Sequence, residues 1–241
     1  LCIGQDGKLL EDRVYTWGDR PPQVQVKVIE VGEFIRQSVV GDRTLIMVSA
    51  TLANGDKLGF IPKQMGYAEG EYLGMIVGSP FDPKNTIVCV PPVPVSPAVA
   101  IAEVATGIGG RTMGLFTSHR ALQEAAKSIR LPKGMEALVQ GSMPKTRMVE
   151  RFKELDGHAV ILATQSFWQG VDIPGKALSC VVIDKVPFPT PDDPVVWWME
   201  QRGANAFMGY SVPKAAIALK QGAGRLIRRE TDYGAIVLLD P

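Results

Sequence analysis

The run Met113-Gly-Leu-Phe-Thr117-Ser118-His119-Arg120-Ala-Leu-Gln-Glu-Ala-Ala-Lys-Ser-Ile129 decides the reading of the fold. Residues 113–117 form a short apolar stretch of strand length, and 119–129 follow at once as a helical pattern. The same alternation extends in both directions. Strands are expected at 44–48, 86–90, 113–117, 137–140, 159–163, 180–183 and 235–239. Several of these are nearly continuous apolar runs, as strands buried on both faces of a parallel sheet must be. Helices are expected at 97–106, 119–129, 145–154, 194–206 and 213–229, with Ser211 as cap and Pro213 in the first turn of the last one. The alternation predicts an α/β fold, a parallel sheet with crossover helices on both faces.

Outside this pattern the chain changes character. Residues 1–43 are polar, with Val/Gln alternation at Val24-Gln-Val-Lys-Val28 and little helical signal before Val31. The stretch 52–78 carries Gly55, Gly59, Gly66, Gly70 and Gly74 and reads as loop-rich, joining two lobes. The expected division is a leading segment over 1–55 and a main domain over 56–241.

A chain of 241 residues with 46% hydrophobic and 21% charged residues is an ordinary globular protein of one large or two modest domains. Its net charge of +1 gives no global basic field, so nucleic-acid binding would have to come from a local patch. Cys2, Cys89 and Cys180 stand far apart without a C-x-x-C pair. No zinc site or iron–sulfur cluster is therefore expected from this chain's own thiolates. Scattered single cysteines fit a reducing, cytoplasmic setting. The uncharged stretch 85–102 contains Pro91, Pro92, Pro94 and Pro97, which defeat a membrane helix, and no signal peptide opens the chain. The first residue is Leu and the last follows a strand-like run, so the expectation is a piece of a longer protein.

The segment Gln221-Gly-Ala-Gly224-Arg225-Leu-Ile-Arg228 spaces Gln221, Arg225 and Arg228 at i, i+4 and i+7, one face of a continuing helix. Two guanidiniums on one stripe, beside a glycine that leaves backbone room, suit a polyphosphate. The alternative is a solvated basic helix end favoured by the dipole. A phosphate-binding loop of the G-x-x-x-x-G-K-[ST] type is missing. Gly170-Val-Asp-Ile-Pro-Gly175-Lys176-Ala177 comes near, but Ala177 lacks the hydroxyl, Asp172 would intrude on the anion and Pro174 removes a needed N–H. Gly107-Ile-Gly109-Gly110 has Thr112 where a third glycine belongs. No Asp-Glu dipeptide occurs. Arginines without a phosphate loop imply half of a site whose other half lies elsewhere.

Four motifs now stand in order: Ser49-Ala-Thr51-Leu52; Leu115-Phe-Thr117-Ser118-His119-Arg120; Ala163-Thr-Gln-Ser-Phe-Trp-Gln-Gly170-Val-Asp172-Ile-Pro-Gly175; and Gln221 to Arg228. Their order and spacing resemble motifs III, IV, V and VI of superfamily two helicases. Ser166-Phe-Trp168-Gln-Gly170-Val-Asp172, Lys185-Val-Pro-Phe188-Pro, Asp192-Asp-Pro194 and Gly78-Ser-Pro-Phe81 are similar to the DinG/XPD branch. The resemblance covers about residues 40–241.

That resemblance implies a RecA-like second motor domain, preceded by the end of the first. It implies an ATP-dependent DNA helicase that couples hydrolysis to translocation on single-stranded DNA and to duplex unwinding, in DNA repair or replication. ATP and magnesium would be held mainly by an N-terminal helicase domain of the same polypeptide, and this chain alone would be inactive. Arg225 and Arg228 match the arginines that reach the triphosphate, Arg228 being the better match to the finger. Gln221 matches the polar residue linking this motif to nucleotide and water. Gly170, Asp172 and Gly224 belong to the nucleotide side. Thr117, Ser118, His119, Thr164 and Ser166 match positions facing a nucleic-acid backbone, and the helix start at Ser118-His119 offers free N–H groups to phosphate. Each has a plainer alternative: Thr117-Ser118 as a helix cap, His119 as an exposed helix-start residue, Ser49 and Thr51 as a strand-end turn, and Phe167, Trp168, Trp197 and Trp198 as packing. The alternative for the whole chain is a RecA-like module that binds nucleic acid or a partner without turnover.

Overall fold

The computed structural model describes residues 13–19, 22–55, 57–164, 167, 173, 177–227 and 229–240; through residue 27 only the course of the strands is described. Two compact units divide the chain: one takes the residues up to Val77 together with Phe188–Ile217, the other Gly78–Pro187 together with the residues from Ala218 on.

The second unit is built on a six-stranded sheet of β3 (Thr86–Cys89), β4 (Thr112–Phe116), β5 (Glu136–Val139), β6 (Ala159–Thr164), β7 (Cys180–Ile183) and β8 (Gly234–Leu238), ordered β3-β8-β7-β4-β6-β5. Every pairing is parallel. The helices α3 (Pro97–Ile108), α4 (His119–Ser128) and α5 (Lys145–Glu154) connect strands of this sheet.

Side chains alternate in direction along each strand, and both directions are buried. On one face Met113, Leu115, Ile161, Ala163, Val181 and Ile183 pack with Met148 and Phe152 of α5 and with Leu226. On the other, Phe116, Val160, Leu162, Cys180 and Val182 pack with Ile101 and Ala105 of α3 and Leu122 and Ala125 of α4. A strand with two covered faces leaves few positions for polar side chains, which is why the apolar runs are nearly continuous. Burial pushes the Cys180 thiol up to about 12, so it behaves as a small hydrophobe. Gly114 in β4 makes room for α3: a Cβ there would lie 2.5 Å from Ile101 Cδ1. At the opposite end of α3, Gly109 adopts the left-handed conformation that closes the helix.

The first unit holds an antiparallel hairpin, β1 (Arg13–Asp19) with β2 (Pro22–Val28), whose register runs from Arg13 opposite Val28 to Asp19 opposite Pro22. Only the β2 alternation was visible in the sequence. After it, α1 (Gly32–Phe34) runs into π-helical turns at Ile35–Val40, and α2 (Phe60–Gln64) interrupts the loop-rich stretch. Arg36 holds this region by a two-pronged ion pair to Glu71, both contacts 3.0 Å, while stacking over Tyr67.

Four expectations are corrected. Residues 44–48 form no strand: Ile46 and Val48 are 81% and 92% exposed, and no neighbouring strand pairs with the run among the described residues. The helix expected over 194–206 is shorter, α6 (Pro194–Gln201), capped by Asp193, which accepts from the Val195 N–H at 2.9 Å. Ser211 is no cap: it is buried in π-helical turns, Phe207–Ser211, that continue into α7 (Val212–Ala223). And α7 ends at Ala223, not at 229. Among the described residues no helix is long and apolar enough to cross a membrane.

Candidate nucleotide and nucleic-acid site

In an open parallel sheet, ligands meet the protein beyond the carboxyl ends of the strands. Four polar side chains stand there on consecutive strands: Asp184 after β7, Thr117 after β4, Thr164 closing β6 and Gln140 after β5. The β4–β6 register sets Thr164 opposite Phe116, one residue before Thr117.

They are tied in pairs. Asp184 is 6% exposed, and its two oxygens accept from the Thr117 N–H at 2.9 Å and the Thr117 hydroxyl at 3.2 Å; the Lys185 N–H adds a bond of 2.7 Å. Burial raises the Asp184 carboxyl above the ordinary aspartate range, and these hydrogen bonds oppose the rise. Thr164 is also 6% exposed, and the Gln140 amide oxygen accepts both its N–H at 2.7 Å and its hydroxyl at 3.1 Å.

Beyond Thr117 the chain turns into α4. The Ser118 hydroxyl caps that helix, accepting from the Ala121 N–H at 3.1 Å. Thr117, Ser118, His119 and Arg120 are all exposed, and Arg120 pairs with Glu124 at 2.9 Å. The capping alternative for Ser118 is therefore realised. It leaves the rest of the exposed helix start facing solvent.

A second group gathers around Lys145, the first residue of α5. Its ammonium lies 5.1 Å from the centre of the buried Phe167 ring. Burial lowers the Lys145 pKa below the usual lysine range, and the positive charge of Arg225 lowers it further. Arg225 is half-buried, its Nε donating to the Gln221 carbonyl at 3.2 Å.

The continuous helix expected to carry both Gln221 and Arg225 does not form, because α7 stops at Ala223, between them. The N–H groups of Arg225 and Leu226 turn back to the carbonyls of Gly222 and Ala223, at 3.1 and 3.0 Å, and this tightening buries Leu226 in the core at 1% exposure. Gly224 suits the tightened turn, since a Cβ there would come 3.0 Å from the Lys220 carbonyl. Arg225 is accordingly half-buried rather than fully exposed. Ser166, Gly170, Asp172 and Arg228, and with them the expected one-face arrangement of Arg228, lie outside the described residues.

The helicase C-terminal domain family matches residues 101–241, more than half of the chain. The chain is 37% identical over 233 residues to the ATP-dependent helicase DinG of Mycobacterium tuberculosis (strain H37Ra), which covers 90% of this chain and 35% of that protein. The chain belongs to the DinG/XPD helicase family. It is also 36% identical to the ATP-dependent DNA helicase YoaA of Escherichia coli K12, over 81% of this chain and 32% of the relative. The chain thus spans about a third of the length of these curated relatives. Among solved structures, S. tokodaii Xpd4 superposes on 90% of this chain and 44% of its own with a TM-score of 0.64 at 14% identity, a likeness of fold. The parallel sheet with helices on both faces is RecA-like, and the chain is a helicase C-terminal domain.

Within this DinG/XPD domain, motif reading missed Gln140, Lys145 and Asp184 as site residues. Each lies one strand or one helix away from a motif residue that it touches or faces. Only the strand order brings them together, and strand order is not written in any local pattern.

Proposed function

We propose that the chain is the C-terminal motor half of an ATP-dependent DNA helicase that couples ATP hydrolysis to translocation along single-stranded DNA and to duplex unwinding. The observation that carries this reading is Arg225, half-buried within electrostatic reach of Lys145 in a chain without a phosphate loop. Two cations near one another suit a polyphosphate brought by another part of the protein. That part is an N-terminal helicase domain of the same polypeptide, which would hold most of ATP and its magnesium. Among the described residues no group of three or more His, Cys, Asp or Glu side chains gathers as a metal site.

ATP, when bound, supplies the phosphoryl group whose transfer to water drives the cycle. In this chain Arg225 and Arg228 would neutralise charge on the phosphates, Arg228 as the finger. Gln221 would orient groups around them, and Gly170, Asp172 and Gly224 would border the nucleotide. Single-stranded DNA would run over the exposed helix start at Thr117, Ser118 and His119 and past Thr164 and Ser166. Closure of the two motor domains would complete the catalytic set and advance the strand.

The test is Arg228→Ala in the protein of the relatives' full length. ATP turnover should fall by at least about a thousandfold, as loss of an arginine finger does, while single-strand affinity stays within about threefold, because one charge contact among several is worth little at moderate salt. Retained turnover would remove Arg228 from the finger role.

A further inference from the structure

Thr164 aims two donors, its backbone N–H and its hydroxyl, at one point, and the oxygen at that point is Gln140 Oε1, at 2.7 and 3.1 Å. An N–H and an O–H converging on a single oxygen are what a phosphate oxygen would ask of this strand end. The neighbouring pair is built differently. Asp184 grips Thr117 with two separate oxygens of a buried carboxylate that the Lys185 N–H also holds. Gln140 is neutral and half-buried. Its backbone is pinned by the bond from its N–H to the Leu162 carbonyl at 2.9 Å, and Gly141 beyond it has φ +96°. Two methylene groups separate the amide from that base, so rotation about them moves the oxygen without moving the strand end.

The geometry points to Gln140 as a latch: its amide oxygen holds the place of a phosphate oxygen at Thr164 and is displaced when a phosphate seats. This inference rests on the reading of the strand ends as a phosphate-facing surface. It deepens that reading by assigning Gln140 a role opposed to ligand binding. A carboxylate in place of the amide would hold Thr164 harder and repel the incoming anion.

The test uses the 241-residue chain and a fluorescein-labelled oligothymidylate, read by anisotropy. Gln140→Ala should tighten binding roughly three- to tenfold, the effect of removing one competing hydrogen bond. Gln140→Glu should weaken it by about tenfold or more at low salt. In a Thr164→Val background the two Gln140 variants should differ far less, the remainder being the bare charge effect of the glutamate. Equal thermal melts of the Gln140 variants and the parent chain establish that folding is not the cause. Weaker or unchanged binding by Gln140→Ala overturns the latch, weaker binding making Gln140 a support for Thr164 instead.

A second readout follows the Thr164 amide resonance. Its movement with oligothymidylate assigns the seat to the DNA backbone. Movement only with inorganic phosphate or a non-hydrolysable ATP analogue assigns it to a nucleotide phosphate and moves Thr164 off the DNA path. A resonance that neither moves refutes the seat. A parent chain that fails to bind oligothymidylate while Thr164 still answers phosphate would sink the DNA reading and leave the latch standing.

Discussion

Asp184 carries a charge into a place where water hardly reaches, and what it holds there is the loop that opens α4. Removing its oxygens would strand the N–H groups of Thr117 and Lys185 at a buried strand end. Asp184→Ala should therefore cost about 1–3 kcal/mol of folding stability, the range for unsatisfied buried donors. Asp184→Asn keeps the oxygen that both N–H groups need, and the Thr117 hydroxyl can turn from donor to acceptor. The pH dependence separates the charge from the hydrogen bonds. Burial raises the carboxyl above the ordinary 3.8, so the native state takes up a proton more readily than the unfolded chain. That contribution to stability is complete below 3.8 and is lost as pH rises through the higher native value. Chemical denaturation from about pH 4 to about pH 7 should show the stability of the parent chain falling relative to that of Asp184→Asn. Equal slopes would mean that Asp184 is not raised.

Whole elements of the sheet were legible because each buried strand carries its own signal. The runs at 113–117, 159–163 and 180–183 have two covered faces and no polar interruption, and they fold where that pattern says. The run at 44–48 is as apolar, yet it pairs with nothing described here, since a strand needs a neighbour that its own residues cannot supply. The end of α7 differs for a related reason: helical spacing runs on past Ala223, but the N–H groups of Arg225 and Leu226 turn back to Gly222 and Ala223 and carry Leu226 into the core. The candidate site divides in the same manner. Thr117, Ser118 and Thr164 could be found from motifs that lie along the chain, whereas Gln140 and Asp184 enter through strand neighbours distant in sequence. Packing between elements makes its own prediction at Gly114. A methyl group there meets Ile101 Cδ1 of α3 at 2.5 Å and Leu162 Cδ2 at 3.1 Å. Gly114→Ala should lower stability by about 1–3 kcal/mol through overpacking, and adding Ile101→Val, which deletes the obstructing methyl, should recover part of the loss in a double-mutant cycle. Strictly additive losses would show that α3 does not press on β4 at this point.

At the scale of the molecule, the proposed role gives the chain cations for a polyphosphate, while its sequence has no G-x-x-x-x-G-K-[ST] loop to hold one. Gly170 to Ala177 fails as such a loop on its residue types alone, and the chain accounts for about a third of the length of its curated relatives. A catalytic set split in this way has no turnover until both halves meet, because phosphoryl transfer depends on positioning and on charge supplied from several sides at once. The 241-residue chain should therefore hydrolyse ATP at the rate of a protein-free control, with or without oligothymidylate, in a phosphate-release assay. Addition of a separately produced N-terminal helicase domain from the same polypeptide should restore DNA-stimulated hydrolysis, and the restoration should be lost when the added chain carries Arg228→Ala. Strong hydrolysis by this chain alone would overturn the split site, and a mixture that hydrolyses ATP equally well with the Arg228→Ala chain would show that the arginine does not complete it.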